Sequence, residues 1–354
     1  MGQLSEFVSE NRPYAAAALV LLVAAGAWLA LPALSGGGGK EVVRVGYFPN
    51  IQHAQALVGL SRGDFQRELG DGVEISAKVF NAGPSAIEAM FAGEVDIVYI
   101  GPNPAITGYI RSEGDALRVV SGACSGGAAF VVRNDSGISS PAGLSGKRLA
   151  SPQLGNTQDV ALRIYVQRAG LSTTDKGGTV EIIPTANPDI LTLFARGDIQ
   201  GAWVPEPWGA RLVREGNGTV FVDERDLWPG GKFVTANIIV RRRFLEEHPD
   251  LVRKWLKVHV EETQWINAHP GEAKPLLNSE IRALTGKEIR ADELDDAFSR
   301  LSITYDPVKS SLFESARAAF ELGFLGETEP DLSGIYDLSI LNGVLREKGL
   351  NESY

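Results

Sequence analysis

The amino-acid sequence predicts an α/β fold made of two lobes with a helical tail, and three observations carry that prediction. Strand-like and helix-like segments alternate along residues 42–110. A second series of the same kind, built from new residues, occupies 117–204, and from residue 249 onward the apolar spacing turns helical. The length of 354 residues exceeds one average domain and suits two lobes of ordinary size.

The elements follow in order. Val42-Val43-Arg44-Val45-Gly46-Tyr47 alternates around β-branched residues and reads as a strand that Phe48-Pro49-Asn50 ends. Residues 52–69 read as one helix, with Ala54, Leu57, Val58, Leu60 and Phe65 at its apolar positions. Residues 73–80 are a second strand, Asn81-Ala82-Gly83-Pro84-Ser85 leads into a helix over 86–92, and 95–100 is a third strand. Gly101-Pro102-Asn103-Pro104 then opens the next helix, and this order of strand and helix implies parallel packing. Residues 117–121 and 128–133 are strands around a Gly/Ser turn, 147–150 is a short strand, and 158–169 is an amphipathic helix. A strand over 180–184, a helix over 188–196 and a strand over 201–204 come next, the last ended by Pro205-Glu206-Pro207. After a return strand at 233–241 the chain is helical over 249–267, 271–284, 292–301 and 310–322. No short-period repeat of the solenoid type is present.

Charged residues make up 22% and hydrophobic ones 44%, a globular balance. The net charge is −10 with basic residues scattered, which argues against a nucleic-acid partner. One cysteine, Cys124, excludes an internal disulfide and a cysteine-based zinc site; its setting among small residues suggests a buried thiol. His248, His259 and His269 are too far apart to make a metal pattern, so neither metal nor cofactor is expected.

Residues 15–34 carry no charge and at helical rise reach about 30 Å, roughly a bilayer core. Residues 36–39 are a glycine spacer. Ala33-Leu34-Ser35 fits a signal-peptidase site, whereas Glu6, Glu10 and a lone Arg12 make a poor positive n-region, which favours an uncleaved anchor. Either way residues 1–39 stand outside the fold, and the chain from about Lys40 is exported to the periplasm or the outer face of the cytoplasmic membrane.

Ligands of open α/β sheets bind beyond the carboxyl ends of the strands. The segments that follow the strands here are rich in Gly, Pro, Ser, Thr and Asn: Pro49-Asn50-Ile51-Gln52-His53, Gly83-Pro84-Ser85, Gly101-Pro102-Asn103-Pro104, Ser125-Gly126-Gly127 and Gln153-Leu154-Gly155-Asn156-Thr157. Most of them open a helix, where free N–H groups and a partial positive charge suit an anion. Each polar residue taken singly reads as a helix cap; five such segments in succession point to one shared cleft. The candidate ligand-binding residues are Asn50, His53, Ser85, Gly101, Asn103, Ser125, Gly126, Gln153, Asn156, Thr157, Trp203 and Glu206. Trp203 is either a pocket wall or core, and Glu206 either a surface ion-pair partner or an acceptor for a ligand ammonium or hydroxyl. The patterns G-x-S-x-G, G-x-x-x-x-G-K-[ST] and H-E-x-x-H do not occur, which favours binding over turnover.

Several segments together carry a resemblance. They are Val45-Gly46-Tyr47-Phe48-Pro49 with His53, Phe91-Ala92-Gly93-Glu94-Val95-Asp96-Ile97 before Gly101-Pro102-Asn103-Pro104, and Ser151 to Thr157. With them stand Phe194-Ala195-Arg196-Gly197-Asp198-Ile199-Gln200-Gly201-Ala202-Trp203, Glu206-Pro207-Trp208, and Phe244-Leu245-Glu246-Glu247-His248-Pro249. Over roughly residues 42–320 the chain resembles the periplasmic solute-binding proteins of the nitrate/sulfonate/taurine (NitT/TauT) ABC transporters. The resemblance implies a type II periplasmic-binding-protein fold, with residues 40–130 and 237–354 in one lobe, residues 131–236 in the other and the ligand between them. It also implies capture of a small oxyanion (an aliphatic sulfonate, taurine or nitrate) for an ABC permease and its ATPase. The family's alternatives are a receptor for a thiamin-precursor-like pyrimidine and an enzyme on the same fold; the related pyrimidine synthases carry a cysteine cluster, which a single Cys124 does not supply.

Overall fold

The computed structural model describes residues 40–353. Its first sheet has six strands in the order β11-β4-β10-β3-β1-β2. These are β1 (Glu41–Tyr47), β2 (Val73–Val79), β3 (Ile97–Ile100), β4 (Leu117–Gly126), β10 (Val234–Arg241) and β11 (Leu301–Ile303). The second sheet has five strands in the order β7-β6-β8-β5-β9. They are β5 (Ala128–Arg133), β6 (Arg148–Ser151), β7 (Glu181–Pro184), β8 (Gly201–Pro205) and β9 (Gly218–Asp223). The helices are α1 (Ala54–Ser61), α2 (Asp64–Leu69), α3 (Gly83–Phe91), α4 (Pro102–Arg111), α5 (Thr157–Arg168), α6 (Asn187–Arg196), α7 (Trp208–Glu215), α8 (Arg242–Glu247), α9 (Pro249–Ala268), α10 (Pro270–Thr285), α11 (Ala291–Ser299), α12 (Lys309–Glu321) and α13 (Ser339–Glu347).

Each sheet is mixed rather than wholly parallel. β1 pairs β3 in parallel with Val45 opposite Ile97, and β6 pairs β8 in parallel with Leu149 opposite Gly201. β10 runs antiparallel to both β3 and β4, and β5 antiparallel to both β8 and β9. β3 is central and buried at every position, which is why it reads as an unbroken apolar run instead of an alternation. The chain passes from the first sheet to the second between Gly126 and Ala128 and returns between Asp223 and Val234. Residues 128–130 thus pair within the second sheet, and residues 234–236 within the first, a few positions from the lobe limits expected from the sequence.

Apolar side chains fill both faces of each sheet. On one face of the first sheet Val45, Tyr99 and Ile238 meet α1, α2 and α9, where Phe65 and Trp255 stack at 3.8 Å, an aromatic pair worth about 0.5–1.5 kcal/mol beyond its buried area. Its other face packs Ile100, Ile87, Ile106 and Leu312. In the second sheet successive residues point to opposite sides: Phe130 and Trp203 to one, Val131 and Val204 to the other.

The structure departs from the sequence reading in local places. The helix expected over 52–69 is a short 3-10 turn at Ile51–His53 and then two helices, α1 and α2, because Gly63 takes φ +72 between them. β4 extends through Cys124, Ser125 and Gly126, so that segment is strand and opens no helix; its ladder to β10 and β11 outweighs the turn-like Gly/Ser composition. β9 and β11 had no counterpart in the sequence reading: β9 is an edge strand with only Gly218 and Val222 fully inside, and β11 lies where a helix end was expected. Among the described residues no helix is long and apolar enough to cross a membrane; the anchor expected at residues 15–34 lies outside the described residues.

Candidate functional site

The strands of both sheets end toward one cavity of about 30 Å³. From the first lobe Phe48, Asn50, Gln52 and His53 follow β1, Asn81, Ala82 and Gly83 follow β2, and Gly101 and Pro104 follow β3. From the second lobe Pro152, Asn156, Thr157 and Gln158 follow β6, Asn187 follows β7, and Pro205 ends β8. Thr235, on the return strand β10, completes the wall. The starts of α3, α4, α5 and α6 therefore converge on the same small space, each with the positive end of its dipole, while Pro84, Pro102, Pro104 and Pro188 in their first turns carry no N–H. Among the described residues, none that lines it is Asp, Glu, Lys or Arg.

Local interactions hold these groups in place. Asn156 caps α5 by accepting from the Asp159 N–H at 2.8 Å. The fully buried Asp159 carboxylate accepts from Ser151 Oγ at 2.6 Å, the Gly155 N–H at 2.9 Å and Arg163 Nε at 2.9 Å, which ties the loop after β6 to the helix it opens. His53 Nδ1 accepts from the Phe48 N–H at 3.2 Å, leaving Nε2–H as the ring's donor; burial pushes its pKa down to about 3, so the ring is neutral. Gln52 Nε2 donates to the Gly127 carbonyl at the crossing between sheets.

Three side-chain atoms of the lining are buried with no hydrogen-bond partner among the described residues: Gln52 Oε1, Thr157 Oγ1 and Asn187 Oδ1. Buried polar atoms are paired in the great majority of cases, so orphans gathered in one cavity mark where a ligand's polar groups belong. The lobes are close together. Ser85 and Gln153 hydrogen-bond across the rim at 3.2 Å, and a Cβ at Gly101 would stand 2.3 Å from Thr157 Oγ1. An apolar cavity that takes benzene measures about 150 Å³, so the space here must widen to admit any solute of several heavy atoms.

The structure brings Asn50, His53, Gly101, Asn156 and Thr157 together in this lining, with Ser85 and Gln153 at its rim. The other candidates lie elsewhere. Asn103 faces away, donating from Nδ2 to the Ser315 carbonyl of α12 at 3.2 Å. Ser125 Oγ accepts from the Phe233 N–H at 3.3 Å, and the Gly126 carbonyl accepts from Thr235 Oγ1 at 2.5 Å; both belong to the crossing. Trp203 is core: it stacks on Phe130 at 5.4 Å and donates from Nε1 to Glu224 Oε2 at 2.7 Å. Glu206 is neither on the surface nor in the lining. It is fully buried, with Oε1 accepting from Arg300 Nη1 at 2.5 Å and Oε2 from the Ala210 N–H at 3.0 Å. Asn187 and Gln52 were missed as ligand candidates, although Thr185-Ala186-Asn187-Pro188 follows a strand and opens a helix as the chosen segments do. Cys124 is buried, its thiol pushed up to about 12 by desolvation. Among the described residues no group of His, Cys, Asp and Glu could hold a metal ion.

Residues 36–278 match the NMT1-like family. The taurine-binding periplasmic protein of Escherichia coli K12 is 28% identical over 215 residues, which are 61% of this chain and 64% of that relative, so the chain spans a little under two thirds of its length. The alkanesulfonate-binding protein SsuA of Xanthomonas axonopodis pv. citri, solved with MOPS bound, superposes with TM-score 0.67 at 18% identity, covering 82% of this chain and 96% of that one. The periplasmic nitrate-binding protein NrtA of Synechocystis PCC 6803 gives TM-score 0.68 at 12% identity, covering 87% and 89%. At these identities the likeness is one of fold, and the fold is the type II periplasmic-binding-protein arrangement of two α/β lobes.

Proposed function

The chain belongs to the NMT1-like family, within the solute-binding proteins of the nitrate/sulfonate/taurine transporters, and from its cleft we propose that it captures a small oxyanion, an aliphatic sulfonate, outside the cytoplasm and hands it to an ABC permease with its ATPase. One observation carries this reading: helix starts from both lobes meet at a cavity with an unpaired Thr157 hydroxyl and no charged side chain among the described residues of its lining. Such a site holds an anion on N–H and O–H donors without a cationic clamp, and each hydrogen bond to a charged ligand is worth about 1.5–3 kcal/mol. Binding to donors on both lobes draws them together about the crossings at Gly126–Ala128 and 224–233, so the closed form presents the occupied cleft to the permease. The names of relatives that bind sulfonates and taurine support the ligand class. Residues 15–34 would tether the protein to the membrane.

A second reading rests on the two unpaired carbonyl oxygens of Gln52 and Asn187, which suit the amino group of a neutral pyrimidine. Calorimetric titration separates the two. Ethanesulfonate should bind, and Thr157→Ala should weaken it about ten- to a hundredfold with the melting temperature unchanged. Binding of an aminopyrimidine with no response to any oxyanion would replace the first reading with the second.

A further inference from the structure

We propose that the natural solute joins its oxyanion to a neutral hydroxyl, and that the site rejects the corresponding ammonium compound. The proposal rests on the oxyanion reading and refines it. Gln52 is 2% exposed and Asn187 4% exposed, and each presents to the cavity an amide oxygen without a partner. The Gln52 amide cannot be turned round to change this, because its Nε2 is held by the Gly127 carbonyl. An amide oxygen accepts and never donates, so an oxyanion oxygen leaves Gln52 Oε1 unsatisfied while an O–H or N–H satisfies it, and the Asn187 amide oxygen can accept from the same group. A solute with the oxyanion alone uses the helix starts and Thr157 and leaves Gln52 Oε1 buried and unpaired.

An ammonium has donors enough, but its charge has nothing to meet it. Among the described residues no carboxylate lines the cavity. The buried carboxylates near it are already engaged, Glu206 by Arg300 and the Ala210 N–H, and Asp159 by Arg163, Ser151 and the Gly155 N–H. The convergent helix starts supply partial positive charge, which favours the oxyanion and opposes a cation beside it. A desolvated ammonium without a counter-charge is disfavoured strongly, whereas a hydroxyl loses little. The cleft is thus selective by the absence of an acid as much as by the donors it has.

Propanesulfonate, 2-hydroxyethanesulfonate and taurine are close in size and differ at one terminal group, a methyl, a hydroxyl and an ammonium. Titrated calorimetrically into the purified protein, the hydroxyl compound should bind at least tenfold more tightly than propanesulfonate, with taurine the weakest. Asn187→Asp places a carboxylate in the first turn of α6, where the helix dipole tolerates it, and should improve taurine relative to the hydroxyl compound at least tenfold. Propanesulfonate binding as tightly as the hydroxyl compound, or taurine binding as tightly as either, overturns the inference and leaves the oxyanion reading standing. No binding by any of the three or by nitrate overturns both. The unmodified protein decides the ranking even if the variant fails to fold.

Discussion

Gly101→Ala isolates closure from every other property of the protein. Gly101 precedes α4 with φ −70 and ψ 160, an extended backbone that alanine adopts without strain. In the closed form its new methyl would lie 2.3 Å from Thr157 Oγ1 and 3.3 Å from Thr157 Cβ, across the cleft. Contact between such atoms is comfortable at about 3.5 Å, so the two lobes must stand apart by roughly an ångström at this point. Overpacking of this kind costs about 1–3 kcal/mol, and here the cost falls on the closed form alone. For a ligand held by groups on both lobes, apparent affinity should fall about 5- to 150-fold. Calorimetry measures that loss. X-ray scattering should show a ligand-bound particle that is less compact than wild type, while the melting temperature of the free protein stays put. In the double variant with Thr157→Ala the severe contact with Oγ1 is gone and only the 3.3 Å approach to the Cβ of residue 157 is left, so Gly101→Ala should add little to the loss from Thr157→Ala. Wild-type affinity and compaction in Gly101→Ala, or additive losses in the double variant, would refute the argument that these lobes close on each other here.

Other consequences follow from buried charge and from the ends of the chain. Glu206→Gln removes one member of a buried ion pair and should destabilise the fold by roughly 3–5 kcal/mol, toward the lower figure because Asp296 still holds Arg300; it should leave the ranking of sulfonates unaltered, and a changed ranking with an unchanged melting temperature would put Glu206 back in the ligand site. Burial raises the pKa of Glu224 from 4.5 to about 7, so the folded protein keeps a proton that the unfolded chain releases. Its contribution is complete below pH 4.5 and lost as pH rises to about 7, a decline on the order of 3 kcal/mol that Glu224→Gln should flatten; parallel pH–stability curves for the two proteins would contradict this. A chain beginning at Lys40 should be soluble and bind with full affinity while losing membrane association, and an unfolded product would place residues 1–39 in the core.

How far the sequence could be read depended on the range of the interaction. The apolar run at β3 followed by Gly101-Pro102 announces a central strand and a helix start, and both are local signals. The same local chemistry marked Asn50, His53, Asn156 and Thr157 as residues of strand-end segments, and the sheets deliver those ends to one cavity. Asn187 carried an equal signal that went unused. Glu206 and Arg300 are 94 positions apart, and nothing near either names the other; a carboxylate between two prolines looks exposed until its partner is seen. Trp203 and Glu224 are likewise joined by the register of β5 with β8 and β9 and not by any pattern along the chain. Ser125 sits in a strand and not at a helix start, because the Gly/Ser composition of a turn also fits a strand end where the chain changes sheets. Helix starts were therefore legible, while the choice between facing the cleft and facing the core depended on pairings distant in sequence.

The central claim is reversible capture of a small oxyanion in the cleft between the lobes. Its most direct test is calorimetric titration of the protein with 2-hydroxyethanesulfonate and ethanesulfonate, with the bound molecule recovered on unfolding and weighed by mass spectrometry. The account predicts saturable binding of one molecule per chain, a marked loss of affinity in Thr157→Ala, and a ligand returned chemically unchanged. An absence of saturable binding by these and by nitrate, or a ligand returned altered, would contradict it.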